Sequence, residues 1–274
     1  MTLKRFLIAA AAIIAAATTA GAEQRSLWPS EYFKPQTSRN TAGEFDYYAL
    51  VLSWSPTYCA GAGDRDGMQC DRSDGRRFAF VLHGLWPQYT KGYPENCMTR
   101  RKPFVPQASI DRMLDIMPSP RLVIHEYRKH GTCSGLSPDA YLGLSRKLFE
   151  SVRIPPRYVN PFEMQFVSPD DMIQDFTSAN PKIKPDMMAV ACGGAGNRLK
   201  EIRICFSKEG QPQSCGENES QRRLCSTQRM MVPPVRSTAR SDAMPNIGPR
   251  TPSSSYQSNQ IPRPRLIEGP NGED

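Results

Sequence analysis

Histidine is scarce in this chain: 274 residues contain three, His83, His125 and His130. A metal centre built on several imidazoles would have to use nearly all of them, and no separate cluster of Asp and His ligands stands elsewhere to share the work. No C-x-x-C pair or H-x-x-x-H hook occurs among the cysteine spacings, which argues against a structural zinc site. No Gly-x-Ser-x-Gly elbow presents a serine nucleophile. Beyond the first two dozen residues no apolar run approaches the ~20 residues of a membrane span. Internal repeats are also lacking, so the chain is not a solenoid or propeller.

What is there begins with an export pattern. Lys4 and Arg5 precede an apolar run from Phe6 to Ala17, and Ala20-Gly21-Ala22 follows before Glu23. A basic start, a short apolar stretch and an Ala-x-Ala-type end predict a signal peptide over residues 1–22, leaving no stable membrane association once it is removed. Residues 233–274 are dominated by Pro, Ser, Arg and Asn, with few apolar anchors, and predict a disordered C-terminal tail. The remaining segment, 23–232, is about 210 residues long, enough for one sizeable core. At 39% hydrophobic and 23% charged residues the chain has a globular composition. Its formal charge of +8 suits a polyanionic substrate without proving one. The eight cysteines all lie after the signal, and an even count in an exported chain predicts disulfides.

The order of elements predicts an α+β fold: a central, mainly antiparallel sheet flanked by helices and stapled by disulfides. Phe45 to Trp54 carries apolar residues on both parities, as a strand covered on both faces does. Phe78 to His83 is a second strand, expected to stop at Gly84 and Pro87. Ile110, Met113, Leu114 and Met117 recur at helical spacing until Pro118. Ser137-Pro138-Asp139 and Ser168-Pro169-Asp170-Asp171 each combine an N-cap, a first-turn proline and acids facing the helix dipole. Leu199 to Phe206 alternates charged with apolar residues, the pattern of a half-buried strand.

Any one histidine is more often structural than catalytic, so its neighbours decide. His83 ends an apolar strand and runs into Gly84-Leu85-Trp86-Pro87. His125 and His130 share Arg121 to Gly131, read as a helix with Gly131 just past its end. On such a helix His125 stacks on Lys129 and Glu126 on His130. Two imidazoles suit acid–base work near neutral pH, and a lysine beside a protonated imidazole stabilises an anion. This is equipment for phosphoryl transfer without a metal or cofactor. No protein nucleophile is evident, but RNA can supply its own 2′-hydroxyl.

The segment Phe80-Val81-Leu82-His83-Gly84-Leu85-Trp86-Pro87, together with His125-Glu126-Tyr127-Arg128-Lys129-His130-Gly131-Thr132-Cys133, resembles the two active-site segments of the ribonuclease T2 family. The resemblance runs from Tyr47 through Trp54-Ser55-Pro56-Thr57-Tyr58-Cys59 to the strand ending at Phe206. It implies a metal-independent endoribonuclease acting on single-stranded RNA and not on DNA; the export pattern makes it periplasmic or secreted, and a monomer is the default expectation. His130 would deprotonate the 2′-hydroxyl and His83 would protonate the leaving 5′-oxygen, giving a 2′,3′-cyclic phosphate and then a 3′-phosphate. Glu126 and Lys129 would assist at the transition state, and His125 would hold the phosphate. Trp86 would stack on a base, with Tyr89 or Tyr93 as its partner. The implied disulfides are Cys97–Cys133, Cys192–Cys225, Cys205–Cys215 and Cys59–Cys70. Tyr127 stands where the family usually has Trp, and Leu122 where an aromatic is often found, which leaves base preference unspecified.

Two other readings compete. A T2-fold protein that binds RNA or surfaces without catalysis would be marked by lost histidines, and all three are kept. A metal-dependent phosphoesterase would need the ligand cluster that the sequence lacks.

Overall fold

In the computed structural model, which describes residues 40–62, 66–99 and 102–238, the first strand carries the sheet. Strand β1 (Tyr47–Trp54) is buried on both faces, as its two-sided apolar pattern predicts. Helices α1 (Ser55–Ala62) and α2 (Gly67–Cys70) follow it, then strand β2 (Phe80–Gln88). The segment after β2 holds helices α3 (Gln107–Asp111) and α4 (Pro120–Glu126). A π-helical turn (Tyr127–Gly131) and α5 (Thr132–Ser134) continue α4. Next come α6 (Pro138–Ser151), strand β3 (Gln165–Val167), α7 (Pro169–Ala179), strands β4 (Met188–Gly193) and β5 (Arg198–Phe206), α8 (Gln221–Leu224) and strand β6 (Met230–Val232). The strands form one sheet in the order β2-β1-β5-β6-β3, with β4 also paired to β5. Pairing is antiparallel except between β5 and β6. This is the expected α+β sheet.

The two faces of the sheet are unequal. Tyr48, Leu50, Leu52 and Trp54 point into the main core with Leu199, Ile202 and Ile204, against residues of α4, α6 and α7. Tyr47, Ala49, Val51 and Cys205 form a smaller cluster that Trp86 joins. Both long helices start where their Ser-Pro-Asp signals place them. The Ser137 side chain accepts from Ala140 N, and Ser168 closes a capping box with Asp171.

Strand β2 differs from expectation. It does not stop at Gly84 but runs on to Gln88, with Pro87 opposite Tyr48. Pro87 is tolerated because β2 is an edge strand and needs no donor on its outer side. Between Leu52↔Leu82 and Val51↔Gly84 the register shifts by one, so His83 is the extra residue of a β-bulge. The bulge inverts the alternation, and Leu82 and Leu85 both reach the main core. His83 and Trp86 then meet on the opposite face, ring centroids 5.2 Å apart.

Disulfides join Cys59 to Cys70, Cys97 to Cys133, Cys192 to Cys225 and Cys205 to Cys215, the pairs that the resemblance implies. The expected tail boundary at residue 233 falls too early. The Pro233 carbonyl accepts from Trp54 Nε1, Val235 N donates to Pro161 O at 2.7 Å, and Thr238 N donates to Gly75 O. Val235 and Ser237 are buried. Composition failed here because one valine and a few backbone hydrogen bonds anchor a segment of otherwise tail-like sequence. The expected signal peptide and residues 239–274 lie outside the described residues.

Candidate active site

The site is assembled from three pieces of chain. The β2 bulge supplies His83 and Trp86, the end of α4 and its π turn supply His125, Glu126, Lys129 and His130, and β5 supplies Glu201 and Arg203. All but Glu201 line one cleft of about 540 Å³, together with Tyr93, Gln88, Asn218 and Arg223. A larger cavity of about 740 Å³ between Arg153, Asn180 and Lys182 contains no histidine.

The helix carrying the second segment is not the regular one expected. Its α-helical part ends at Glu126 and the next turn is π-helical, a widening often found at functional sites. Gly131 is not its end. A Cβ at Gly131 would overlap the rings of Tyr127 and Tyr141, so glycine here makes room for packing. The chain leaves the helix at Gly135, whose φ of 77° is the left-handed cap. The α6 side chain Tyr141 donates to Leu85 O at 2.8 Å, fixing the helical layer against β2.

Trp86 is the hub. Its indole N–H donates to Glu126 Oε2 at 2.7 Å, and the His130 ring stacks on it with centroids 5.1 Å apart. The Arg203 guanidinium lies 5.1 Å from its centroid. The expected base-stacking role therefore meets a side chain already occupied in holding Glu126 and His130. Gly84 explains the close approach: a Cβ there would overlap the Glu126 carboxylate and crowd Trp86 Nε1. Of the two tyrosines considered, Tyr93 lines the cleft and is 53% exposed, whereas Tyr89 packs against the main core.

The electrostatics separate the two principal imidazoles. Burial works against a charge on His83, but the hydrogen bond to Glu201 and the charges of Glu126 and Glu201 outweigh it and raise its pKa. His83 Nδ1 lies 3.4 Å from Glu201 Oε2, and Nε2 lies 3.7 Å from Glu126 Oε1. His130 is 4% exposed, and burial, followed by the charges of Lys129, His83 and His125, depresses it to about 3. Its Nδ1 is buried without a hydrogen-bond partner. His125 is lowered by burial and by Lys129. Burial raises Glu126, against the pull of His83 and Trp86.

Lys129 stands at the rim, its ammonium 3.4 Å from Glu95. The loop bearing Glu95 is tied to the π turn by Asn96 N donating to Lys129 O and by the Cys97–Cys133 bridge. Among the described residues no group of three or more His, Cys, Asp or Glu is arranged to hold a metal ion.

Residues 45–215 match the model of the Ribonuclease T2 family. The chain belongs to this family. It is 37% identical over 190 residues to a ribonuclease of Aeromonas hydrophila, covering 68% of this chain and 83% of that protein. It is 27% identical over 206 residues to ribonuclease I of Escherichia coli, covering 61% and 77%. Trichomaglin, described as an S-like ribonuclease, shares the T2 fold with a TM-score of 0.57 at 22% identity, covering 70% of this chain and 99% of trichomaglin.

The sequence reading missed Glu201 and Arg203. They stood in view as the charged positions of an alternating strand. What was lacking was the register Val51↔Arg203 and Ser53↔Glu201 beside Val51↔Gly84, which brings them to the His83 bulge.

Proposed function

We propose that this T2 family endoribonuclease is exported and cleaves single-stranded RNA by transesterification, without a metal or cofactor. The observation that carries the reading is the convergence of His83, His125, Glu126, Lys129 and His130 on one cleft, where their surroundings bias His83 and His130 toward opposite protonation states. His130, held neutral, takes the proton of the substrate's 2′-hydroxyl. The 2′-oxygen attacks the adjacent phosphorus, and the P–O5′ bond breaks as protonated His83 delivers a proton to the departing 5′-oxygen. A 2′,3′-cyclic phosphate remains. Water, deprotonated by His83 and with His130 returning a proton to the 2′-oxygen, then opens it to a 3′-phosphate. Lys129 offsets charge on the phosphate, His125 helps hold it, and Glu126 borders His83 and Trp86 where the pentacovalent species forms. DNA lacks the nucleophile and is not cut.

Export rests on the basic, apolar and Ala-x-Ala order of residues 1–22 and on four disulfides, which persist in oxidising compartments. All the cleft-lining residues come from one chain, which is consistent with action as a monomer.

The pH dependence of kcat/KM tests the assignment. The base must be deprotonated, so activity rises through the depressed pKa of His130, about 3 in the free protein. The acid must be protonated, so activity falls through the raised pKa of His83, above the ~6.5 of an ordinary histidine. The profile is a bell with a broad mildly acidic top. A flat profile from pH 4 to pH 9 would sink the two-imidazole mechanism.

A further inference from the structure

Glu201 meets His83, one of the reacting pair, yet it does not line the cleft. Its Oε1 accepts from Arg203 Nε at 3.0 Å and from Nη2 at 2.9 Å, which leaves Oε2 for His83 Nδ1. Arg203 in turn reaches Glu219 Oε1 at 3.4 Å, and Glu219 accepts from the Tyr47 hydroxyl. The chain Tyr47–Glu219–Arg203–Glu201–His83 thus anchors one imidazole to β1, β5 and the segment before α8. His130 is stacked on Trp86 instead, and its Nδ1 has no hydrogen-bond partner. A carboxylate on Nδ1–H fixes an imidazole's orientation and favours its protonated form.

We propose that Glu201 is a positioning residue for proton delivery: anchored by Arg203, it holds the His83 ring through Nδ1–H so that Nε2 carries the proton given to the leaving 5′-oxygen. This rests on the ribonuclease reading above. In the step, the Nε2–H bond breaks as the 5′-oxygen gains the proton. His83 ends neutral with its Nδ1 proton still shared with Glu201, which stays ionised throughout. Ionisation of Glu201 is favoured because, although burial opposes it, the His83 hydrogen bond and the Arg203 charge lower its pKa. The charged and titratable groups facing His83 are Glu126 and His125 of α4, His130 of the π turn, and Glu201 and Arg203 of β5. Of these only Glu201 meets Nδ1.

The test pairs Glu201→Gln with Glu201→Asp in the full chain. It combines NMR titration of the three histidines with kcat/KM against pH on a defined RNA. Gln keeps the shape and an acceptor but removes the charge. His83 should then titrate at lower pH while His125 and His130 hold, and the basic limb should follow. The ratio of kcat/KM at pH 5 to that at pH 7.5 should rise about tenfold, the scale of losing one adjacent opposite charge. Asp keeps the charge on a shorter arm, so kcat should fall with little movement of the basic limb. An unmoved His83 titration in a folded Gln variant would overturn the proposal. A titration that moves while the basic limb stays would also overturn it, because proton delivery would not pass through the Glu201-held ring. If Gln proves unfolded, a basic limb displaced in the Asp variant would count against the proposal. Wild-type protein that fails to cleave RNA would instead refute the underlying ribonuclease reading, and the NMR shift would remain readable.

Discussion

Replacing Gly84 by Ala adds one methyl group at the most crowded point of the site. The new Cβ would overlap the Glu126 carboxylate and press on Trp86 Nε1. Glu126 is 1% exposed and accepts from Trp86 at 2.7 Å, so it has little room to yield. Overpacking of a tight interior costs about 1–3 kcal/mol, and losing a hydrogen bond to a charged group about 1.5–3 kcal/mol. These overlap, since one displacement causes both, and a destabilisation of about 2–3 kcal/mol is expected. Displacing Glu126 also removes the carboxylate that faces His83 Nε2, and misplacement by about 1 Å can cost about 10²-fold in rate. The assay is a double-mutant cycle of Gly84→Ala with Glu126→Ala, scored by denaturant unfolding and by kcat/KM on RNA. With the carboxylate gone, the methyl group loses its closest obstacle and still meets Trp86 Nε1 at 2.7 Å, so its stability cost should drop by about 1 kcal/mol or more without vanishing. Equal costs in both backgrounds would show that the methyl collides with something other than Glu126, and the close-approach argument would fail.

Three further outcomes are expected. His83→Ala and His130→Ala should each lower kcat by about 10²–10⁴-fold with the fold intact, and His125→Ala should act more on KM; near-normal turnover in either of the first two would refute their roles. Truncation after Thr238 should leave the melting temperature unchanged, whereas truncation after Val232 exposes the site of buried Val235 and should cost about 1.5–3 kcal/mol; equal stability of the two would contradict the docking of that segment. Replacing Cys97 and Cys133 by Ser should cost about 2–5 kcal/mol and free the loop that holds Glu95 against Lys129, raising KM; an unchanged KM would mean the bridge does not organise the rim.

Much of the site could be read from sequence because its chemistry is concentrated. With only three histidines, two of them five residues apart beside Glu126 and Lys129, the histidines, Glu126 and Lys129 that line the cleft could be named before any fold was known, whereas Gln88, Arg203, Asn218 and Arg223 could not. Helices α6 and α7 were equally plain, because their Ser-Pro-Asp starts act locally. The errors arose where tertiary context overrides local signals. Gly84 and Pro87 read as strand terminators, but Gly84 yields space to Glu126 and Pro87 sits on an edge strand. Gly131 read as a helix end, whereas it admits Tyr141 beside a π turn. Strands β3 and β6 span three residues each, too few to show a period of two. The bulge at His83 depends on pairing with β1, so no local pattern announces that His83 and Trp86 share a face. Glu201 and Arg203 were hidden for the same reason.

The nucleophile of the proposed reaction is the substrate's own 2′-hydroxyl. The most direct measurement uses a DNA strand containing one ribonucleotide, incubated with the enzyme in excess chelator, with the ends of the products identified by mass. A single cut immediately 3′ of the ribonucleotide is predicted, leaving a 2′,3′-cyclic phosphate and a 5′-hydroxyl, and an all-deoxy strand of the same sequence should remain whole. Cleavage of the all-deoxy strand, or loss of all cleavage in chelator, would contradict it.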